Sequence, residues 1–185
     1  MAYTSKQRVI AKGTGDIYIA DPVVGGKISD AEWENIMVSL KGSFTITQEE
    51  GDTTTVEIDQ SDLPVLSETQ PGNLTISWNA PNTSKAMWEL LYNTVASMES
   101  IYTGSAGEEV IGVRMNTKEI KKMLKVKMRV GGSTYVFPNL QWSRLFMKDS
   151  DDDPTYFTIT CTVLAAVDTS QPDFIVINQM DGSAD

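Results

Sequence analysis

Carboxylates are the most abundant side chains here that could do chemistry: 25 Asp and Glu stand against 15 Lys and Arg in 185 residues, with one cysteine and no histidine. Without histidine there is no Ser-His-Asp or Cys-His dyad, no imidazole ligand for zinc, and no side chain that ordinarily exchanges a proton near neutral pH. Cys161 is alone, so neither an internal disulfide nor a thiolate cluster can form. It alternates with Phe157, Ile159 and Val163, where a buried, inert thiol is expected. Two carboxylates suffice for glycoside hydrolysis, but that chemistry needs a set separation in space, which no spacing along a chain specifies. Asp149, Asp151, Asp152 and Asp153 offer the hard oxygens that calcium accepts, yet the glycine and closing glutamate of an EF-hand loop are missing, so a solvated turn before Pro154 is expected. Gly13-Thr14-Gly15 and Gly25-Gly26 precede no Lys-Ser/Thr pair and open no helix, as a phosphate loop requires. The expectation is a protein without catalytic turnover, cofactor or metal.

Charge is organised in blocks. Residues 42–84 hold seven acids and no base: Glu49, Glu50, Asp52, Glu57, Asp59, Asp62 and Glu68. From Asp149 to the end there are eight acids and no base, whereas Lys118 to Arg129 carries six bases and one acid. The net charge is −10. Such a chain repels nucleic acid and anionic membranes as a whole, while a basic face set apart from two acidic segments suits self-association. A solvated strand face is the plainer account of the basic block, and the absence of interleaved aromatics argues against nucleic-acid binding there. No signal-peptide-like apolar run is present, and the longest aliphatic stretch, Val163 to Val167, is far short of a membrane span.

The elements that position these groups are mostly strands. Residues 1–15 read as an N-terminal arm before a strand at Asp16 to Ala20, and Ser29-Asp30-Ala31-Glu32 has capping-box spacing for one helical turn. Ile36, Val38, Leu40, Phe44 and Ile46 alternate with polar residues and predict one long strand, which a turn at Glu49 to Asp52 folds onto Thr54 to Asp59. Leu63-Pro64-Val65-Leu66 interrupts the strand pattern, so 48–72 is expected to protrude. Leu74, Ile76 and Trp78 alternate with Thr75, Ser77 and Asn79. Asn82 then caps a helix over 82–98, with Met87, Leu90, Leu91, Val95 and Met98 on its apolar face. Strands follow at Val110 to Met115, at Leu124 to Val130 with Lys125, Lys127 and Arg129 on the exposed face, at Ser133 to Phe137, Leu140 to Met147 and Thr155 to Ala166. An acidic segment, 168–185, ends the chain.

The stretch GSFTITQEEGDTTTVEIDQSDLPVLSETQPGNLTISWNAP running into SKAMWELLYNTV, within Ile36 to Leu91 and just beyond, resembles the tail tube proteins (major tail proteins) of long-tailed bacteriophages and the related inner-tube proteins of contractile injection systems. The resemblance implies a single mainly-β domain: an antiparallel β-sandwich or partly closed barrel with one flanking helix, a long protruding hairpin loop and an N-terminal arm. It implies homohexameric rings, with inner sheets joined into one barrel, stacked into a tube through which double-stranded DNA passes without sequence-specific binding. The implied partners are a tape-measure protein, a tail terminator, baseplate or tail-tip proteins, and a sheath where the tail contracts. Its place would be the virion, after synthesis and assembly in the host bacterial cytoplasm, with no direct membrane insertion.

On that basis Glu49, Asp52, Asp59, Asp62, Leu63, Val65 and Leu66, together with Lys125, Lys127 and Arg129, are the candidates for self-assembly. Thr75, Ser77, Asn79, Thr158, Thr160 and Thr162 are the candidates to line the lumen. The alternative is a monomeric β-sandwich that binds carbohydrate, which needs exposed Trp or Tyr on one sheet face; a hydrolase stands third.

Overall fold

The computed structural model describes residues 12–24, 27–29, 33–58, 61–95, 101–106, 110–116, 118–130, 132–147 and 154–178. They form β1 (Lys12–Ala20), β2 (Glu34–Met37), β3 (Thr45–Gln48), β4 (Thr53–Ile58), β5 (Ser61–Thr69), β6 (Leu74–Ala80), α1 (Lys85–Leu91), β7 (Asn93–Val95), β8 (Gly112–Arg114), β9 (Ile120–Val130), β10 (Ser133–Met147), β11 (Tyr156–Val163) and β12 (Ile175–Asn178). The fold is mainly β and antiparallel with one helix, as expected.

The main sheet runs β2-β1-β9-β10-β11-β6-β3, with β12 paired to β10. It does not close into a barrel, because its end strands β2 and β3 do not pair with each other. β10 is long enough to serve two half-sheets. Its first part pairs with β12, while Leu140 to Met147 pairs with β11. Between them the register against β9 shifts, Phe137 opposing Leu124 and Leu140 opposing Lys122, so that Pro138 and Asn139 bulge. A bulge bends a strand, and proline is tolerated there because no ladder donor is needed. One half-sheet is therefore β2-β1-β9-β10-β12 and the other β10-β11-β6-β3. They fold over a single core that holds Ile17, Val126 and Phe137 from the first and Ile76, Trp78 and Ile159 from the second. Trp78 and Trp142 meet edge to face with ring centroids 5.5 Å apart.

Several local expectations are corrected. The strand anticipated from Ile36 to Thr47 is two strands in different places: β2 pairs with β1, and β3 with β6. Lys41 and Gly42 turn the chain, and Gly42 has φ +80°, a conformation glycine adopts without steric cost. The apolar–polar alternation of the sequence nevertheless runs through the turn. Val38, on the supposed inner face, is 59% exposed. Likewise β4 pairs with β5, not with β3. Pro64 does not break the strand: it lies within β5, inside the register shift between Val56 and Ile58, on a two-stranded sheet where an edge donor is dispensable.

The helix anticipated over 82–98 is the short α1, whose N-cap position is Ser84, without a side-chain capping bond, rather than Asn82. Asn82 instead accepts a hydrogen bond from the Ser84 amide at 3.0 Å. Tyr92 is extended, and β-branched Thr94 and Val95 continue as β7 against β8. Met87 and Leu91 are buried as expected; Met98 lies outside the described residues. Of the arm expected at 1–15, Lys12 to Gly15 belong to β1, and residues 1–11 lie outside the described residues. Gly15 sits in the β1 bulge between Thr14 and Ile17, where a Cβ would come within 2.9 Å of the Lys127 carbonyl oxygen. Residues 30–32 of the capping-box motif, and Asp149, Asp151, Asp152 and Asp153, lie outside the described residues.

Candidate functional site

The residues proposed for a lumen share one sheet face. Thr45, Ser77, Thr160 and Ser143 stand opposite one another in a row across β3, β6, β11 and β10, and Thr47, Thr75, Thr162 and Gln141 form the next row. Asn79 and Thr158 begin a third, which ends at the exposed Leu145. Cross-strand partners in antiparallel sheets point to the same side, so these side chains form one surface, about 15 Å wide at roughly 4.8 Å per strand. It carries no charge on those four strands; the first is Lys121 on β9, beside Gln141, whose ammonium is 2.8 Å from Glu119.

Much of its polarity is satisfied internally. The Thr45 and Ser77 hydroxyls are 2.8 Å apart, Thr158 Oγ1 donates to Asn79 Oδ1 at 3.0 Å, and Ser143 Oγ donates to the Thr160 carbonyl at 3.1 Å. Thr45, Thr47, Gln141 and Ser143 extend the six sequence candidates. The alternation of their own strands was the signal that could have included them. Behind this face, Ile159 and Cys161 are fully buried, and burial pushes the Cys161 thiol well above its ordinary value of 9.0.

β3 is the outer edge of that half-sheet. Thr45, Ile46, Thr47 and Gln48 are all exposed, uncharged and free of proline. An edge strand without charge or proline is a template for another strand. Alongside it the sandwich is open: Ile46, Leu74, Met128, Tyr135, Phe137 and Phe174 line an apolar cavity of about 520 Å³, with Asp173 at its rim.

The hairpin β4–β5 leaves the sheet at this edge and pairs with no strand of the main sheet. Its base is a backbone neck. The Gln70 amide donates to the Asp52 carbonyl and the Glu49 amide to the Asn73 carbonyl, both at 2.9 Å. Gly51 and Gly72 pack between them. Glu49 and Asp52 are exposed, and Glu49 accepts a hydrogen bond from Asn73 Nδ2 at 3.2 Å. Asp62, Leu63, Val65 and Leu66 belong to β5, and Asp59 lies outside the described residues.

The basic candidates lie on the outer face of the other half-sheet and are not equivalent. The Lys125 ammonium is held between two rings, 4.9 Å from the centroids of both Tyr18 and Trp33. Lys127 and Arg129 are exposed, and neither forms an ion pair among the described residues. Lys127 opposes Thr134, which opposes Ile177, so the three form a row across β9, β10 and β12.

Lys118 has a purpose that its place in a charge run does not reveal. Its ammonium donates to the carbonyls of Glu89 and Tyr92 at the end of α1, with the Tyr92 contact at 3.2 Å. Arg144 supports it, donating to the Lys118 carbonyl at 2.9 Å while lying 4.9 Å over the Tyr92 ring. Partial burial, then the Arg144 and Lys122 charges, pull the Lys118 pKa below its ordinary value.

Carbohydrate binding would call for aromatic side chains laid open on a sheet face. Trp78 and Trp142 are buried in the core, Trp33 holds Lys125, and Trp88 is half-buried among Phe146, Phe157 and Tyr92. No tryptophan is exposed among the described residues. In comparisons with known proteins, no family model and no curated protein matches the chain.

Proposed function

We propose that this chain is a structural protein that assembles with itself into stacked hexameric rings, forming the tail tube of a phage, the conduit through which its genome is delivered. The observation that carries this reading is the uncharged hydroxyl face on β3, β6, β11 and β10, bounded by the uncharged edge strand β3. A conduit must not hold what it conducts. Lysine or arginine on such a wall would bind phosphates by releasing counterions, whereas hydroxyls exchange one hydrogen-bond partner for another at little net gain. The edges at β2 and β3, which have no further strand beside them among the described residues, let sheets of neighbouring copies continue into one wall.

The hairpin supports the same reading. Two strands without a covering surface are marginal in water, so β4–β5 gains most of its stability where a neighbour covers it. Leu63, Val65 and Leu66 supply apolar area, each Leu contributing roughly 1.5–3 kcal/mol when fully buried. The other partners follow from the resemblance: a tape-measure protein within the tube, a terminator and tip or baseplate proteins at its ends, and a sheath outside a contractile tail.

Deleting Asp62 to Glu68, or combining Leu63→Asp with Leu66→Asp, tests the reading. Circular dichroism is expected to show a folded β-rich subunit and electron microscopy to show no tubes. Variants that polymerise as the parent does, or that fail to fold at all, would contradict it.

A further inference from the structure

We propose that the outer face around Lys127, Arg129 and Ile177 is the docking surface for the acidic β4–β5 hairpin of a second copy of this chain. The inference rests on self-assembly and names the receiving surface. Lys127 and Arg129 are the exposed cations of β9 without an ionic partner among the described residues, in contrast to Lys121, Lys122 and Lys125. Lys122 is 2.6 Å from Asp21, and Lys125 is held by two rings. Beside these cations, across the row through Thr134, Ile177 is 50% exposed. The surface thus offers positive charge next to apolar area.

The hairpin has the complementary chemistry. Glu50, Asp52 and Glu68 are exposed, Glu57, Asp59 and Asp62 add to the block, and no base lies between Gly42 and Ser84. Leu63, Val65 and Leu66 provide the apolar counterpart to Ile177. A second copy is the occupant because the chain's own hairpin pairs with nothing in the main sheet and forms no ion pair with Lys127 or Arg129 among the described residues. The apolar cavity beside β3 is a poorer receptor, since Asp173 on its rim repeats the sign of the hairpin. Opposed charges meeting across a contact speed encounter and fix register, and their attraction is screened by salt.

A charge-swap pair tests the docking. Lys127→Glu with Arg129→Glu reverses the surface, and Asp62→Lys with Glu68→Lys reverses the hairpin. Each purified full-length variant is expected to associate about tenfold or more weakly than the parent in sedimentation velocity, because like charges then meet. Mixing the two is expected to restore large assemblies. Circular dichroism establishes that each is folded; should a reversal fail to fold, Lys127→Gln with Arg129→Gln takes its place, weakening assembly and flattening its salt dependence. A parent that assembles, with reversals that assemble equally well or a mixture that does not recover, overturns this docking and leaves self-assembly standing. A parent that stays monomeric under all conditions overturns the assembly reading and the docking together.

Discussion

Gly51 and Gly72 pack against each other across the base of the β4–β5 hairpin so closely that neither position has room for a side chain. A Cβ on Gly51 would overlap the Gln70 carbonyl, and one on Gly72 would overlap the Glu49 carbonyl and lie 2.9 Å from that of Glu50. All of these are backbone atoms, which cannot rotate away as the end of a side chain would. Close approach, not a left-handed conformation, is what requires glycine here.

Gly51→Ala or Gly72→Ala is therefore expected to force the neck apart, at a local cost of about 1–3 kcal/mol typical of overpacking. Hydrogen exchange should show faster exchange of β4 and β5 amides with β6, β9, β10 and β11 still protected. Unchanged protection of the hairpin would contradict the neck as its anchor.

Cys161 makes stability depend on alkaline pH. Its folded thiol titrates well above 9.0 because burial disfavours the thiolate, while the unfolded thiol ionises near its ordinary value. Above about pH 9 the folded state then binds more protons than the unfolded one, so stability falls as pH rises. The gap in denaturant-derived stability between parent and Cys161→Ala is expected to narrow from pH 8 to pH 10.5; a constant gap would show that the thiol ionises without penalty.

Lys118→Met removes the ammonium that bonds the last carbonyls of α1. The Glu89 carbonyl is exposed and regains water, whereas that of Tyr92 belongs to a buried residue and loses a partner, so the expected loss is about 1–3 kcal/mol, seen as a lower denaturant midpoint with unchanged m-value. No loss would mean that Arg144 alone holds this corner.

The period-two alternation made the β-rich class, the two faces of β11, and the basic face of β9 legible, because those strands have one face in the core. The shared surface of Thr75, Ser77, Asn79, Thr158, Thr160 and Thr162 was legible strand by strand, although their adjacency depends on register. The break between β2 and β3 was hidden, because apolar and polar residues keep alternating in sequence through the turn at Lys41 and Gly42. Helix length was overestimated, because Val95 fits a helical stripe while tertiary pairing with β8 holds Asn93 to Val95 as a strand. The Gly51–Gly72 neck and the Lys118 clasp join residues far apart in sequence, and spacing alone does not encode them.

Orientation of the hydroxyl face is open to chemical labelling. In Thr160→Cys the new thiol lies on that face, while native Cys161 is buried and points to the core. Assembled protein is expected to react with a small maleimide and to resist a long polyethylene-glycol maleimide, which the dissociated subunit accepts. Equal reaction of both reagents with the assembly would place this face outside.

Assembly is read by negative-stain electron microscopy of the purified full-length protein over a range of concentration and salt. Rings or long tubes with a central channel are the predicted result. A uniform population of single 20.4 kDa subunits at every concentration would contradict it.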